Sequence, residues 1–483
     1  MALTRRSFVV GAASIPFAVW LEQNAAWAAG PFIRSEARTA AGQAMLKSYA
    51  AAVKKMMNHA QTPEGDPRSW TFQWYTHFVK GSTNKNAELA RIYPVANAWK
   101  ALATEMWNTC QAHNGVVGAS EPFFLPWHRM FVFFFEAIVR QASGNPNFAL
   151  PYWNYSIAGA THGVIPPEFT KQNDPTFGSL YIGKRNPGVN TGTPIDQGQP
   201  DSPLDPGPAL AECQYLPNGA KQGFNLKLDS TVHGQVHVLT GNGQNMGTIP
   251  WAAGDPVFWM HHCNIDRLWA SWNAGGRKNP GGSFLTKQFV FADTAGKKVV
   301  GTIGNFLDIA KLNYSYDRLE RVPACPPSLL NAAAAAPLKI AAKPGIPLGP
   351  GPVSLTLTSA GGAAASVPLG TRIDKLPPNH HLYIVVRDVA SNVQPEVLYH
   401  LYLQTRDARN YIGAIHFFDS SHAHGEGGAV AKFFSFDITE LAKRLRKEGK
   451  LGANAEVTIA PAGAPAAAAK PVIGEVSLVE QAE

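Results

Sequence analysis

The feature that most constrains this 483-residue chain is a change of hydrophobic period near residue 323. Before it, apolar residues recur every three or four positions, the spacing of an amphipathic helix. Residues 38–59 place Leu46, Tyr49, Val53 and Met57 on one stripe. Asp66-Pro67 reads as an N-cap followed by proline at the first helical position, opening a helix that aligns Trp70, Trp74 and His77. Residues 95–111 and 128–141 are helical again, and Ser143-Gly144-Asn145-Pro146 stops the second of these. An irregular excursion over 156–228, dense in Pro, Gly, Asn and Asp, precedes helical signal at 231–239 and 258–272. Residues 323–352 are rich in Pro, Ala and Gly and read as a linker. Beyond them the period becomes two, at 353–358, 382–386, 398–403 and 433–436, interrupted by one amphipathic helix at 438–447. The expected fold class is multi-domain α+β: a mainly α first domain and a C-terminal β-sandwich.

The N-terminus reads as a targeting segment. Thr4-Arg5-Arg6-Ser7-Phe8-Val9 resembles a twin-arginine export signal, an apolar stretch follows over 8–21, and Ala26-Trp27-Ala28 offers a cleavage pattern. Residues 1–28 are therefore expected to be a signal peptide, 29–322 the first domain, 323–352 the linker and 353–483 the second domain. The expected destination is periplasmic or secreted. The apolar stretch is too short for stable membrane insertion. Twin-arginine export carries folded proteins, which leaves room for a cofactor-loading partner before export. The formal charge of +8 is scattered without a Lys/Arg block, which argues against nucleic acid. Four cysteines do not make a disulfide framework, although Cys213 and Cys325 have the opportunity to pair after export.

The 15 histidines are unevenly placed. In His233-Gly-Gln-Val-His237, four-residue spacing puts two imidazoles on one helix face, able to share a metal. No Glu lies inside the motif, so it is not the zinc-protease pattern. Phe123-Phe-Leu-Pro-Trp-His128-Arg129 and Asp255-Pro-Val-Phe-Trp-Met-His261-His262-Cys-Asn264-Ile-Asp266-Arg each set histidine near the start of an apolar helix. Arg129, Asn264 and Asp266 are candidates to orient those rings. His77 and His113 lie at apolar-facing positions of the preceding helices.

Together F-L-P-W-H-R, Leu150-Pro-Tyr-Trp-Asn154, H-x-x-x-H and D-P-V-F-W-M-H-H-C-N-I-D-R resemble the type 3 copper tyrosinases, catechol oxidases and haemocyanins. The resemblance covers roughly residues 34–318, where Arg34 and Tyr314-Ser-Tyr316 resemble the family's paired arginine and Y-x-Y motif. The tail resembles the C-terminal domain of plant-type polyphenol oxidases, some of which shield the site until cleavage. The resemblance implies a four-helix bundle holding two copper ions, one by His77, His113 and His128, the other by His233, His237 and His262, with dioxygen and a phenol as substrates. Neighbouring helical residues differ by about 100° in direction, so only one of His261 and His262 can face the metal. The family pattern selects His262, leaving His261 to support it. Imidazole suits copper, and six ligands without a carboxylate argue against di-iron and dizinc sites.

The sequence departs from the family in places. The spacing of fifteen residues from His113 to His128 exceeds that of the family, and Cys110 lies three residues before His113 rather than in Cys-x-His, so a thioether is an open expectation. Gly234 stands where strong monophenol hydroxylases carry Asn, and Phe224 near where they carry a water-ordering Glu. This favours oxidation of o-diphenols to o-quinones over hydroxylation of monophenols. An o-aminophenol oxidase is an alternative, and a haemocyanin-like oxygen carrier another. Gly234 and Phe258 are candidates to line the substrate pocket, with core packing competing for Phe258. His59, His162, His380, His381, His400 and His416 read as surface, turn or sheet residues. His422-Ala-His424 reads as an exposed loop.

Overall fold

The computed structural model describes residues 15–16, 31–110, 122–330, 336–359, 367–418, 420 and 433–483. Ile15–Pro16 lies parallel to Val299 and Val300. The rest of the expected signal peptide, together with His113, His422 and His424, lies outside the described residues.

The first domain is helical. Helix α1 (Ala40–Met57) is capped by the Thr39 hydroxyl, which accepts from the Gly42 N–H. Helix α2 (Trp70–His77) starts later than Asp66-Pro67 suggests: Ser69 is the cap, accepting from Phe72, while the Asp66 carboxylate is taken by the Arg68 side chain at 2.6 Å. Helices α3 (Lys85–Ile92) and α4 (Ala98–Met106) follow, each opened by an Asn cap. Helix α5 (Phe124–Ser143) is buried along nearly its whole length and stops at Gly144, whose φ of 71° is left-handed. Helices α6 (Gly223–Leu228) and α7 (Gly234–Thr240) run on through a π-helical turn at Asp229–His233. Helix α8 (Pro256–Ala274) begins under an Asp255 cap with proline at its first position. Helices α1 and α8 both pack against α5.

Strand β1 (Phe32–Arg34) brings Arg34 into the centre of the domain and pairs in parallel with a strand near residue 315. Strands β2 (Gln288–Ala292) and β3 (Lys298–Thr302) form a hairpin, and β4 (Tyr314–Tyr316) is the partner of β1. Arg34 donates to Glu136 at 2.8 Å, to Asp266 at 3.0 Å and to the Tyr316 hydroxyl at 3.0 Å. Asp266 also accepts from Arg129 and, at 2.6 Å each, from Tyr314 and Tyr316. Burial alone would raise the Asp266 carboxyl, but Arg129 and Arg34 outweigh it and hold the group below the usual carboxylate range. One buried cluster thus ties β1, α5, α8 and β4 together.

The second domain is a sandwich of two antiparallel sheets. Its strands are β5 (Leu338–Pro347), β6 (Val353–Thr356), β7 (Thr358–Ser359), β8 (His380–Ala390), β9 (Tyr399–Gln404), β10 (Arg409–Ile415), β11 (Phe433–Asp437), β12 (Glu456–Pro461) and β13 (Val472–Ala482). Their order is β10-β9-β12-β6 in one sheet and β11-β8-β13-β5-β7 in the other. Alternate residues such as Ile384, Leu401, Val457 and Leu478 fill the space between them. Residues 338–347 correct the linker reading: Pro, Ala and Gly dominate locally, yet Ala341, Ala342 and Ile346 pair with β13. Tertiary pairing outweighs strand propensity there.

The domains adhere closely. Gln222 donates to the Phe433 carbonyl at 2.7 Å, Lys227 to the Ser435 carbonyl at 2.6 Å, and Gln481 bridges to Asn218 at 3.0 Å. Leu226 of the first domain packs with Tyr383, Val385 and Val479 of the second. Cys213 and Cys325 form a disulfide across 112 residues, fastening the end of the helical domain to its irregular excursion. Among the described residues, no helix is long and apolar enough to cross a membrane.

Candidate metal centre

The histidines of four helices meet in the interior. His77 ends α2, His128 lies in the first turns of α5, His233 and His237 flank the start of α7, and His262 sits in α8. One ligand atom from each of His233, His237, His261 and His262 lies within 4.8 Å of the others; a second such group is His77, Cys110 and His128. The groups adjoin, because the His128 and His262 rings stack at 4.1 Å and 11°. His113 cannot be placed, being outside the described residues.

Backbone and carboxylate acceptors fix the direction of these rings. The Nδ1 of His77 faces the Ile249 carbonyl at 3.2 Å, that of His128 the Phe124 carbonyl at 2.9 Å, and that of His237 the Met246 carbonyl at 2.8 Å. His233 Nδ1 is 2.8 Å from Asp229 Oδ1. A proton on each Nδ1 satisfies these acceptors and leaves Nε2 as an aimed lone pair. Burial pushes His237 and His262 well below the ordinary histidine range and His261 down to about 3, so all three are neutral near pH 7. The Nε2 atoms of His237 and His262 approach to 3.4 Å. Neutral imidazole donors brought this close inside a dry interior fit a shared cation of the softer transition metals.

His261 and His262 separate by direction. His262 lies between both groups, against His128 and 4.2 Å from Phe258. His261 stacks parallel to His233 at 5.5 Å, with Tyr155 on its other side. Phe258, fully buried, also reaches His77 at 4.9 Å. Phe224 is stacked on Trp272 at 4.7 Å, a packing contact.

The structure revises what orients the rings. Asp266 accepts from Arg129, Arg34, Tyr314 and Tyr316; Arg129 also donates to the Phe306 and Leu307 carbonyls, and Asn264 accepts from Arg267 at 2.8 Å. They lock α5 and α8 in place, and the rings are oriented by other groups. Sequence reasoning missed Asp229, although an Asp four residues before His233 is the signal a continuous helix gives. It also missed the roof. Phe418, beyond the end of β10, stacks on His237 at 4.0 Å and 17° and meets His233 edge-on at 5.7 Å. Phe418 and Ala414 are 2% exposed and belong to the first domain's core. Four further histidines have structural partners: His162 pairs with Asp196, His380 with Glu480, His381 with Asp437, and His400 with Gln199.

Residues 67–208 and 216–275 match the family described as the common central domain of tyrosinase. A tyrosinase, HcTyr1, from Hahella sp. (strain CCB-MM4) is 32% identical over 56% of this chain and 60% of its own length. Catechol oxidase B, chloroplastic, from Solanum tuberosum is 30% identical over 40% of this chain and 37% of its own. The matched region therefore spans less than two thirds of either relative. In overall fold, latent apple tyrosinase superposes with a TM-score of 0.61 at 19% identity, covering 94% of this chain and 98% of that one.

Proposed function

We propose that this chain, whose residues 67–208 and 216–275 match the common central domain of tyrosinase, is an oxidoreductase that uses dioxygen to convert o-diphenols to o-quinones at a pair of copper ions. The observation that carries this reading is the convergence of two adjoining buried groups, His233, His237, His261 and His262 beside His77, Cys110 and His128, in which the Nδ1 atoms of His77, His128, His233 and His237 are already engaged. His77, His113 and His128 would hold one ion, and His233, His237 and His262 the other. A copper pair held there would supply the electron exchange, two electrons coming from each catechol and four going to each dioxygen.

The protein's own residues do the rest. Carbonyls of Phe124, Met246 and Ile249 and the Asp229 carboxylate keep the rings of His128, His237, His77 and His233 in one tautomer, so these four need no reorganisation when metal or substrate arrives. Phe124, Phe131 and Phe258 surround the rings and exclude water. The Phe418 ring, stacked on His237 and edge-on to His233, takes the place in this reading of a flat aromatic substrate. Gly234 presents no side chain to order a water for removing a phenol proton, which favours catechols over monophenols. An o-aminophenol, whose nitrogen loses its own proton readily, is the second substrate class.

The second domain, in this reading, is a shield. Phe418 occupies the substrate position, and scission within residues 331–337 releases it. The Cys213–Cys325 disulfide would remain on the helical side of that cut, and its presence fits export to an oxidising compartment by the twin-arginine route. A copper-loading partner would then act before export.

Metal analysis of the purified chain, with rates on L-tyrosine, L-DOPA and an o-aminophenol before and after scission, tests the proposal. Two coppers per chain and catechol turnover that rises on scission support it. His237→Ala should lose one copper and all turnover; retention of both would overturn the ligand set. Reversible oxygen uptake with turnover of only a few per hour would favour an oxygen carrier.

A further inference from the structure

Gly234 has a neighbour that its own domain does not supply. A methyl carbon placed on its Cα would lie 2.6 Å from Nδ1 of His416 and closer still to Cε1 and Nε2. That is far inside the roughly 3.5 Å at which carbon and its neighbours meet. The imidazole therefore occupies the volume of the missing side chain. It has little freedom to retreat, being fully buried, with Phe434 edge-on behind it at 5.3 Å and 88°. The Phe418 N–H lies 3.4 Å from His416 Nδ1. The backbone between them is thus turned so that His416 and Phe418 enter the helical domain side by side, one at Gly234 and the other on His237. Gln235 steadies the approach, donating to the Ala414 carbonyl at 3.4 Å.

Glycine is a poor choice for the first turn of α7 on helix propensity alone. Its φ there belongs to an ordinary right-handed helix following His233, so no backbone strain demands it either. What demands it is His416. We infer that Gly234 is a socket for His416, so that closure of the second domain, rather than the substrate, dictates the residue following the first histidine of the H-x-x-x-H pair. This deepens the shielding reading and rests on it. Position 234 then carries two incompatible demands. A side chain there, such as the amide found in hydroxylating relatives, would stand over the substrate, but it would also hold the shield open. Specificity and latency are coupled through one steric contact.

The test is a size-compensation series in the copper-loaded, uncleaved full-length chain, read by amide hydrogen exchange of residues 409–418 and by catechol turnover. Gly234→Ala should speed exchange by about tenfold or more, the lower end of what overpacking a buried contact does, and should give turnover without scission. His416→Trp, which leaves the metal-binding helices untouched, should open the shield in the same way. In Gly234→Ala/His416→Gly the added methyl has room again, and protection should return towards wild type. Wild-type exchange in both single variants would overturn the inference. So would fast exchange in Gly234→Ala that the second substitution fails to slow, since the damage would then lie in α7 itself. Failure of the shielding reading looks different: a two-copper wild-type chain whose turnover does not rise on scission, whatever the exchange rates show.

Discussion

Replacing Phe418 by Ala isolates the roof of the site from the rest of the shield. The ring is almost wholly buried, stacked on His237 and edge-on to His233. Truncating a buried Phe costs about 3–5 kcal/mol, of which roughly 0.5–1.5 belongs to the aromatic contacts themselves. Phe418 makes these contacts only while the domains are together, so the loss falls on the closed arrangement and spares the open one. At about 1.4 kcal/mol per factor of ten, a loss of about 3 kcal/mol raises the open population roughly a hundredfold. The gain saturates at the rate of the fully cleaved enzyme. The assay is the initial rate of catechol oxidation by uncleaved chain at equal copper content, divided by the rate of the same sample after scission at 331–335. Wild type should give a small ratio, and Phe418→Ala one about two orders of magnitude larger or close to unity. A ratio within about twofold of wild type, with the second domain still folded by near-ultraviolet circular dichroism, would refute the idea that this ring guards the centre.

Three other outcomes follow from contacts already described. Asp229→Asn keeps the shape but not the charge that faces His233 Nδ1, and should weaken binding of the second copper by about 10–100-fold, read by competition with a copper chelator; unchanged affinity would remove Asp229 from the site. Asp266→Asn leaves Arg34 and Arg129 buried without their shared anion and should cost about 3–5 kcal/mol in urea unfolding, while a loss under about 1 kcal/mol would show that Glu136 and the tyrosines suffice. The copper-free chain should weaken on acidification. The pKa values of His237, His261 and His262 are depressed by burial, so the unfolded chain takes up protons first, below about pH 6.5. Each such ring then removes about 1.4 kcal/mol per pH unit until its own folded value is reached, near 3 for His261. Urea midpoints that stay level from pH 7 to 5 would contradict this.

How much of this was legible before the structure depended on whether the signal was local. His233 and His237 announce themselves by helical spacing, and the run from Asp255 to Arg267 states both a cap and a cluster. The sandwich strands at 380–390 and 433–437 follow from alternation. Asp229 escaped because the helix was read as starting at 231, whereas it runs from Gly223 through a π turn that periodicity does not reveal. Residues 338–347 escaped because their composition is a linker's and only pairing with a strand more than a hundred residues away makes them sheet. Arg129 and Asp266 were seen as important but given the wrong task, since their partners Arg34 and Tyr316 come from the two far ends of the domain. His416 reads as an ordinary sheet residue, and nothing local marks what it or Phe418 touches.

The parallel pairing of Phe32–Arg34 with Tyr314–Tyr316 has an evolutionary corollary. It seats the beginning and the end of the helical domain side by side, like the two ends of a buckled belt. A polypeptide fastened in that manner tolerates additions beyond the buckle, because the pairing that closes it is complete before the appended chain begins, even where that chain, as at Phe418, reaches back onto it. Lineages are thus free to gain, exchange or discard a trailing module at this junction, and circularly permuted versions joined across the buckle should still fold.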